Sequence, residues 1–320
     1  MKPVWTDLRS GCRCAAVAAA AILVSACAGC TSTAIDLGSE INPRASSVCQ
    51  DAQGRAARPH FQRVLIIVFE NKDEKEVREN GYFGELKNRG AYLSNFHGLF
   101  HPSYSNYLAM VSGKEIPTQF DRQIDIRDAP TIADRLRTRN ANLTWKNYAQ
   151  GYPDDGKCHP KPDFIGRYAR KHVPFMSFVA VQERECSNIV PGERFNTDWK
   201  DHRLPTYAFF TPDMDNDAHD LPLSAAALWL MGFLEPLLSD EQFRKETLVV
   251  VTFDESREQS ADGGNHIYTL LLGDMVKRGV EISANYNHYS VLRTIEDNFG
   301  LAPLADGDCG AKPITEAWIE

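Results

Sequence analysis

Two runs, VLIIVF at residues 64–69 and TLVVVTF at 247–253, are continuous, largely β-branched and free of charge. A run of that kind has no polar side to offer to water, so it reads as a strand buried on both faces, as in a parallel sheet covered by helices on either side. IYTLLL at 267–272 and TYAFF at 206–210 read as two more. Helix-like stretches lie between them at 82–88, 103–110, 131–137, 225–238 and 290–298. Strands alternating with helices define an α/β protein, a three-layer sandwich with a central mostly parallel sheet and its ligand site at the carboxyl ends of the strands. Residues 59–320 are long enough to bury one large core, and one domain is expected there.

The N-terminus reads as an address. Lys2, Arg9 and Arg13 precede an uncharged apolar run at 15–26, too short for the roughly 20 residues of a spanning helix, which fits a signal peptide over residues 1–26. The stretch LVSAC, ending at Cys27, resembles a bacterial lipobox, so Cys27 is expected to be acylated and to begin the mature chain. The alternative is an ordinary signal peptide, with Cys27 left as a free or disulfide-bonded thiol. Residues 27–58, rich in Ser, Ala, Arg and Pro, read as a lipid-anchored tether. The expected location is the bacterial cell envelope, in the periplasm or at the outer membrane, where thiols pair. Cys158 with Cys186 is the expected disulfide, and Cys49 with Cys309 a looser one. The net charge of −8 becomes about −10 once residues 1–26 are removed. An acidic balance of that size excludes a general nucleic-acid binder and argues against unspecific attraction to anionic lipid.

The polar residues that end the buried runs carry the chemistry. Glu70 and Asn71 follow the first run, and Asp254 and Glu255 follow the second. Carboxylates gathered at strand ends repel one another unless a cation sits among them, and a divalent metal is the simplest such cation; the alternative is a set of caps for following helices. In HPSYSNYLAMVSG, Ser103 and Ser105 open a helix that Gly113 closes. A hydroxyl there meets free amides and the positive end of the macrodipole, which favour an alkoxide and a phosphate; otherwise Ser103 is a plain N-cap. PDMDNDAHD places Asp213, Asp215, Asp217, His219 and Asp220 after a strand, offering a second ligand set or a general acid, though not in EF-hand spacing. His266 in GGNH and His288 in YNHYS read as a ligand, a phosphate contact or a cap. His172 in KHVPF is weaker, a ring that packs beside Phe175.

Taken together, EN after the first strand, HPSYSNYLAMVSG, YARKHVPF, PDMDNDAHD, TFDE and NHYSVLRTIEDNFGL resemble the phosphoesterase family of secreted acid phosphatases and phospholipases C, within the alkaline phosphatase superfamily. The resemblance runs from about residue 61 to 301. It implies an alkaline phosphatase-like fold and a metal held by Glu70, Asn71, Asp254 and Glu255. It also implies Ser103 as nucleophile, Asn106 on the phosphoryl oxygens, and Asp213, Asp217 and His219 in a loop that binds a second metal or protonates the leaving group. His266 matches a position that holds His in some relatives and Arg in others. Oxygen-rich ligation points to calcium, manganese, iron or zinc.

Two departures stand out: DESREQSADGG replaces the DExGGxxDH of many members, and Ser105 stands where many have Pro. The implied activity is hydrolysis of phosphate monoesters through a phosphoserine, on a phosphorylated small molecule or lipid. A phospholipase C-type diesterase is the alternative, and a non-catalytic lipoprotein that binds a phosphorylated ligand is a third. A sulfatase or phosphonate hydrolase fits less well, because HPSYSNY lacks the Pro and Arg context of a sulfatase nucleophile.

Overall fold

The structure is a computed structural model that describes residues 59–119, 121–257 and 264–320. The signal peptide, Cys27 and the tether lie outside the described residues. The strands are β1 (Arg63–Phe69), β2 (Ala91–Leu93), β3 (Phe96–His97), β4 (Trp145–Ala149), β5 (Phe164–Ile165), β6 (Tyr168–Ala169), β7 (Ile189–Pro191), β8 (Tyr207–Thr211), β9 (Thr247–Phe253), β10 (Thr269–Leu272), β11 (Val280–Ile282) and β12 (Tyr286–Asn287). Eight of them form one sheet in the order β11-β2-β10-β9-β1-β8-β4-β7, and β3 with β12 and β5 with β6 make two small ribbons. Within the large sheet only β10 runs against its neighbours β9 and β2, so the sheet is mostly parallel, as the apolar runs require.

Side-chain alternation assigns the two covering layers. Ile66 and Thr252 face Met110, His288 and Leu292 on one side, while Phe69 and Phe253 pack with Phe83, and Phe69 with Trp229, on the other. The helices Ser103–Ser112 and His288–Phe299 therefore cover one face, and Gly81–Leu86 with Leu223–Ser239 the other. Phe209 and Phe210 on β8 repeat the pattern, the first against Tyr107 and the second against Trp229 and Phe233. β1 and β9 are buried almost throughout, which is why their sequences have no polar alternation.

Gly113 ends the Ser103 helix in the left-handed region, with φ +64°. A Cβ there would also lie 2.1 Å from Asp308 Oδ1, so glycine is required for both backbone and space. Cys158 and Cys186 form the expected disulfide, with Cα atoms 5.7 Å apart. Cys309 is also disulfide-bonded; Cys49, its expected partner, lies outside the described residues.

Under the far end of the Ser103 helix, Glu296 and Asp308 are both wholly buried. Asp308 accepts the backbone amides of Leu304 and Ala305, whereas among the described residues no donor faces either oxygen of Glu296. Burial, with the Asp308 charge added, pushes the Glu296 carboxyl well above the usual range, which favours a proton shared with Asp308. A carboxyl raised in the fold binds its proton more tightly than in the unfolded chain. Its contribution is full below the ordinary value and is lost as pH rises toward the folded one. Glu296→Gln keeps a donor and cannot ionise; it is expected to leave Tm nearly unchanged at pH 5 and raise it by about 2–6 °C at pH 8. Parallel Tm–pH curves for the two proteins would refute the shared proton.

Candidate active site

β1 and β9 pair in register through Phe69 and Phe253, so the residues that follow leave the sheet abreast. Because Phe69 and Phe253 point to one layer, Glu70 and Asp254 point to the other, where the Ser103 helix lies. The ladder extends one step, with Asp254 N–H donating to Phe69 O at 2.9 Å. Asn71 N–H donates to Asp254 Oδ1 at 3.1 Å and its side-chain amide to Glu255 Oε1 at 3.0 Å. On the opposite side, Glu70 N–H donates to Asp217 O at 2.8 Å, tying in the loop after β8.

Ser103 is the first residue of its helix and is buried, but it does not cap it. Its Oγ lies 2.8 Å from Glu255 Oε1, 3.0 Å from Asn71 Oδ1 and 3.2 Å from Glu70 Oε2. One hydroxyl proton can serve one of these acceptors; the others are left with lone pair facing lone pair. Asp254 Oδ2 adds a fully buried oxygen with no hydrogen-bond partner among the described residues. Ser105, the rival hydroxyl, is instead bonded to Thr118 Oγ1 at 3.0 Å.

The charges show the same crowding. Burial pushes Asp254 well above the usual carboxylate range, and the charges of Glu70 and Glu255 add to it. Burial likewise pushes Glu255 up to about 8, against the stabilising Ser103 hydroxyl. Glu70 goes the other way: burial would raise it, but the His172 imidazolium holds it below the usual range. His172 Nε2 lies 3.0 Å from Glu70 Oε1 and Nδ1 lies 3.4 Å from Asp217 Oδ2, at ion-pair distance. Burial would lower His172, yet Glu70 and Asp217 outweigh it and raise it to about 9.

Among the described residues no three His, Cys, Asp or Glu side chains already converge as a closed chelate. The donor chemistry nevertheless suits a hard or borderline divalent cation. Two buried carboxylates and an amide oxygen face the Ser103 hydroxyl, and Asp254, at the neighbouring strand end, adds a buried oxygen without a partner among the described residues.

The remaining expected site residues take other places. Asn106 has its Oδ1 on the Leu99 and Phe100 amides and its Nδ2 on Phe100 O. It fixes the segment that leads into His101, Pro102 and Ser103. His288 is buried with Nε2 on the backbone oxygen of Asp254 at 2.7 Å, and burial lowers it to about 4; it supports a site residue from behind. His266 stacks on His97 and contacts Ser94 O. Asp213 Oδ1 accepts the amides of Asp215 and Asn216 and so shapes its own turn. Asp217 meets the site through His172. The His219 ring is 40% exposed and bonded to Asp220.

From the sequence, His172 takes only a weaker place, and neither Lys171 nor His101 is singled out. His172 does not pack beside Phe175; that ring stacks on Trp145, and His172 stacks on Tyr107. The preceding Lys171 donates to Asp121 Oδ2 at 2.6 Å. His101 Nδ1 lies 2.6 Å from Glu255 Oε2. The charged run Arg170–Lys171–His172 ahead of an apolar stretch, and a His two residues before the expected nucleophile, were the available signals.

The same fold is found in a solved member of the alkaline phosphatase superfamily. A superfamily member from Vibrio parahaemolyticus superposes with a TM-score of 0.57 at 12% identity, covering 82% of this chain and 72% of that one. A lipoteichoic acid synthase from Listeria monocytogenes gives 0.53 at 11% identity, over 83% and 82%.

The chain belongs to the Phosphoesterase family, whose model matches residues 76–302. A probable acid phosphatase from Kluyveromyces lactis is 34% identical over 86% of this chain and 68% of its own length. A phosphate-repressible acid phosphatase from Penicillium chrysogenum is 33% identical over 78% and 62%, so this chain spans about two thirds of those fungal enzymes. A phosphatidylinositol-3-phosphatase from Mycobacterium tuberculosis is 30% identical over 85% and 88%. By this kinship the chain is a phosphoesterase.

Proposed function

We propose that the protein is an acid phosphatase that hydrolyses phosphate monoesters, with Ser103 as the nucleophile and a divalent metal held by Glu70, Asn71, Asp254 and Glu255. The observation that carries this reading is the Ser103 hydroxyl, buried at a helix N-terminus and faced by three acceptor oxygens of that donor set. When bound, the metal supplies Lewis-acid charge that lowers the hydroxyl pKa and offsets the phosphoryl oxygens.

The chain's own residues do the rest. Glu255, closest to Ser103 Oγ, is the acceptor for its proton as the oxygen attacks phosphorus. The phosphoserine that results is opened by water, and the free amides of the helix face the charge that develops. His172 keeps Glu70 ionised and aimed at the serine. Asn106, through the backbone of Leu99 and Phe100, positions the segment that delivers Ser103. For the leaving oxygen there are two imidazoles, His219 on the loop that carries Asp217 and His101. The contact of His101 with Glu255 favours His101. Asp213 and His266 would matter only through a second ion.

Monoester rather than diester hydrolysis is supported by the acid phosphatases and the phosphatidylinositol-3-phosphatase among the relatives, all monoesterases by name. The natural substrate is then a phosphorylated small molecule or a lipid headgroup phosphate. The test is release of p-nitrophenol from its phosphate against release from its phosphorylcholine ester. At least about a hundredfold preference in kcat/KM for the monoester is expected; the reverse preference would make the protein a phospholipase C-type diesterase.

We also propose export as a lipoprotein anchored through Cys27. Among the described residues no helix is long and apolar enough to cross a membrane.

A further inference from the structure

The helix Ser103–Ser112 begins with an N-cap that cannot cap. Pro102 has no side-chain acceptor and makes no cap bond, and the Ser103 hydroxyl is turned to the carboxylates. The acceptor comes from far along the chain. Asp121 Oδ1 takes the Tyr104 N–H at 3.1 Å, and its Oδ2 takes the Lys171 ammonium at 2.6 Å. Asp121 thus reaches the residue that directly follows Ser103. Its backbone sits at φ +57°, a left-handed conformation that a non-glycine residue adopts at a cost and that gathers at functional sites.

A tetrahedral phosphoryl group on Ser103 needs the two donors that Asp121 occupies: an amide at the helix N-terminus and a nearby cation. Lys171 is only 13% exposed at its side chain, and Asp121 holds its ammonium. Lys171 lies on the same 3-10 turn as His172, next to the residue that pairs with Glu70. We propose that Asp121 is an internal stand-in for the substrate phosphate. It holds Lys171 and the Tyr104 amide until a phosphate ester displaces it, and Lys171 then binds the nonbridging oxygens. This inference rests on the phosphatase reading of the Ser103 site and assigns its anion-recognition residue.

The stand-in competes with phosphate, so the apparent affinity is the intrinsic one reduced by the fraction of open sites. Removing the competitor must tighten binding. Titration calorimetry with inorganic phosphate, using the full chain with its divalent ion, is the direct test, with KM for p-nitrophenyl phosphate measured alongside. Asp121→Asn keeps an oxygen for the Tyr104 amide but loses the charge; it is expected to bind phosphate about three- to tenfold more tightly and to lower KM similarly. Lys171→Met is expected to weaken phosphate by about tenfold or more.

If Asp121→Asn weakens phosphate as Lys171→Met does, Asp121 merely positions the lysine and the proposal is overturned. Unchanged phosphate affinity in a well-folded Asp121→Asn protein overturns it equally. If the unmodified protein neither binds phosphate nor hydrolyses the ester, the phosphatase reading falls and this inference with it. Hydrolysis by the unmodified protein with indifferent Asp121 variants removes the inference alone.

Discussion

Ser103→Ala is expected to lower kcat for p-nitrophenyl phosphate by at least about a thousandfold while leaving Tm within about 3 °C. The kinetic loss follows because the hydroxyl is the atom that bonds to phosphorus, and a covalent route has no substitute when its nucleophile is gone. The small change in stability follows from the geometry. The Oγ satisfies at most one of three acceptors, from Glu70, Asn71 and Glu255, so its removal also relieves lone-pair crowding. Ser105→Ala, which loses the two bonds to the Thr118 hydroxyl and backbone amide, is the matched control. Steady-state kinetics beside a melting curve decide the matter: near-normal turnover by Ser103→Ala would end the nucleophile assignment. If Ser105→Ala alone loses turnover, the nucleophile is the other hydroxyl.

Removing divalent ions with a chelator is expected to take turnover below about 1% of the untreated level and to lower Tm by about 5–10 °C, an effect of lost ligand binding to the folded state. One of calcium, manganese, iron or zinc should restore both. The stability loss has a definite pH sign. Without a cation, Glu255 is pushed up to about 8 and Asp254 well above the carboxylate range, so the stripped fold prefers these groups as acids. That preference stabilises the stripped protein at low pH and is lost as pH rises through about 8. The Tm gap between loaded and stripped protein should therefore widen from pH 5 to pH 8. A gap that narrows with pH, or activity indifferent to chelation, would show that the carboxylates are not held by a metal.

Much of this was legible in the chain. VLIIVF and TLVVVTF announced the centre of a buried parallel sheet, and the structure pairs those two runs as β1 and β9. The acids that interrupt them had to lie at its carboxyl edge, and Gly113 had to end the helix that Ser103 begins. The short strands β2, β4 and β7 were not legible: AYL, WKNYA and IVP are too brief or too polar to stand out, and their strand state comes from pairing with neighbours.

The sequence by itself determined the layer architecture, the place of the acidic strand ends and the hydroxyl at the helix start, because apolar periodicity and helix termini are local properties. It could not choose between a capping serine and a nucleophile, since both occupy the same position in the chain. Only the tertiary structure decided that choice of contacts. It turned the Ser103 hydroxyl toward oxygens 32, 33 and 152 residues away, set His172 between Glu70 and Asp217, and brought Asp121 to a helix whose own cap is a proline. Each of these depends on which strands are neighbours and which way their last residues face, and no local stretch of sequence carries that information.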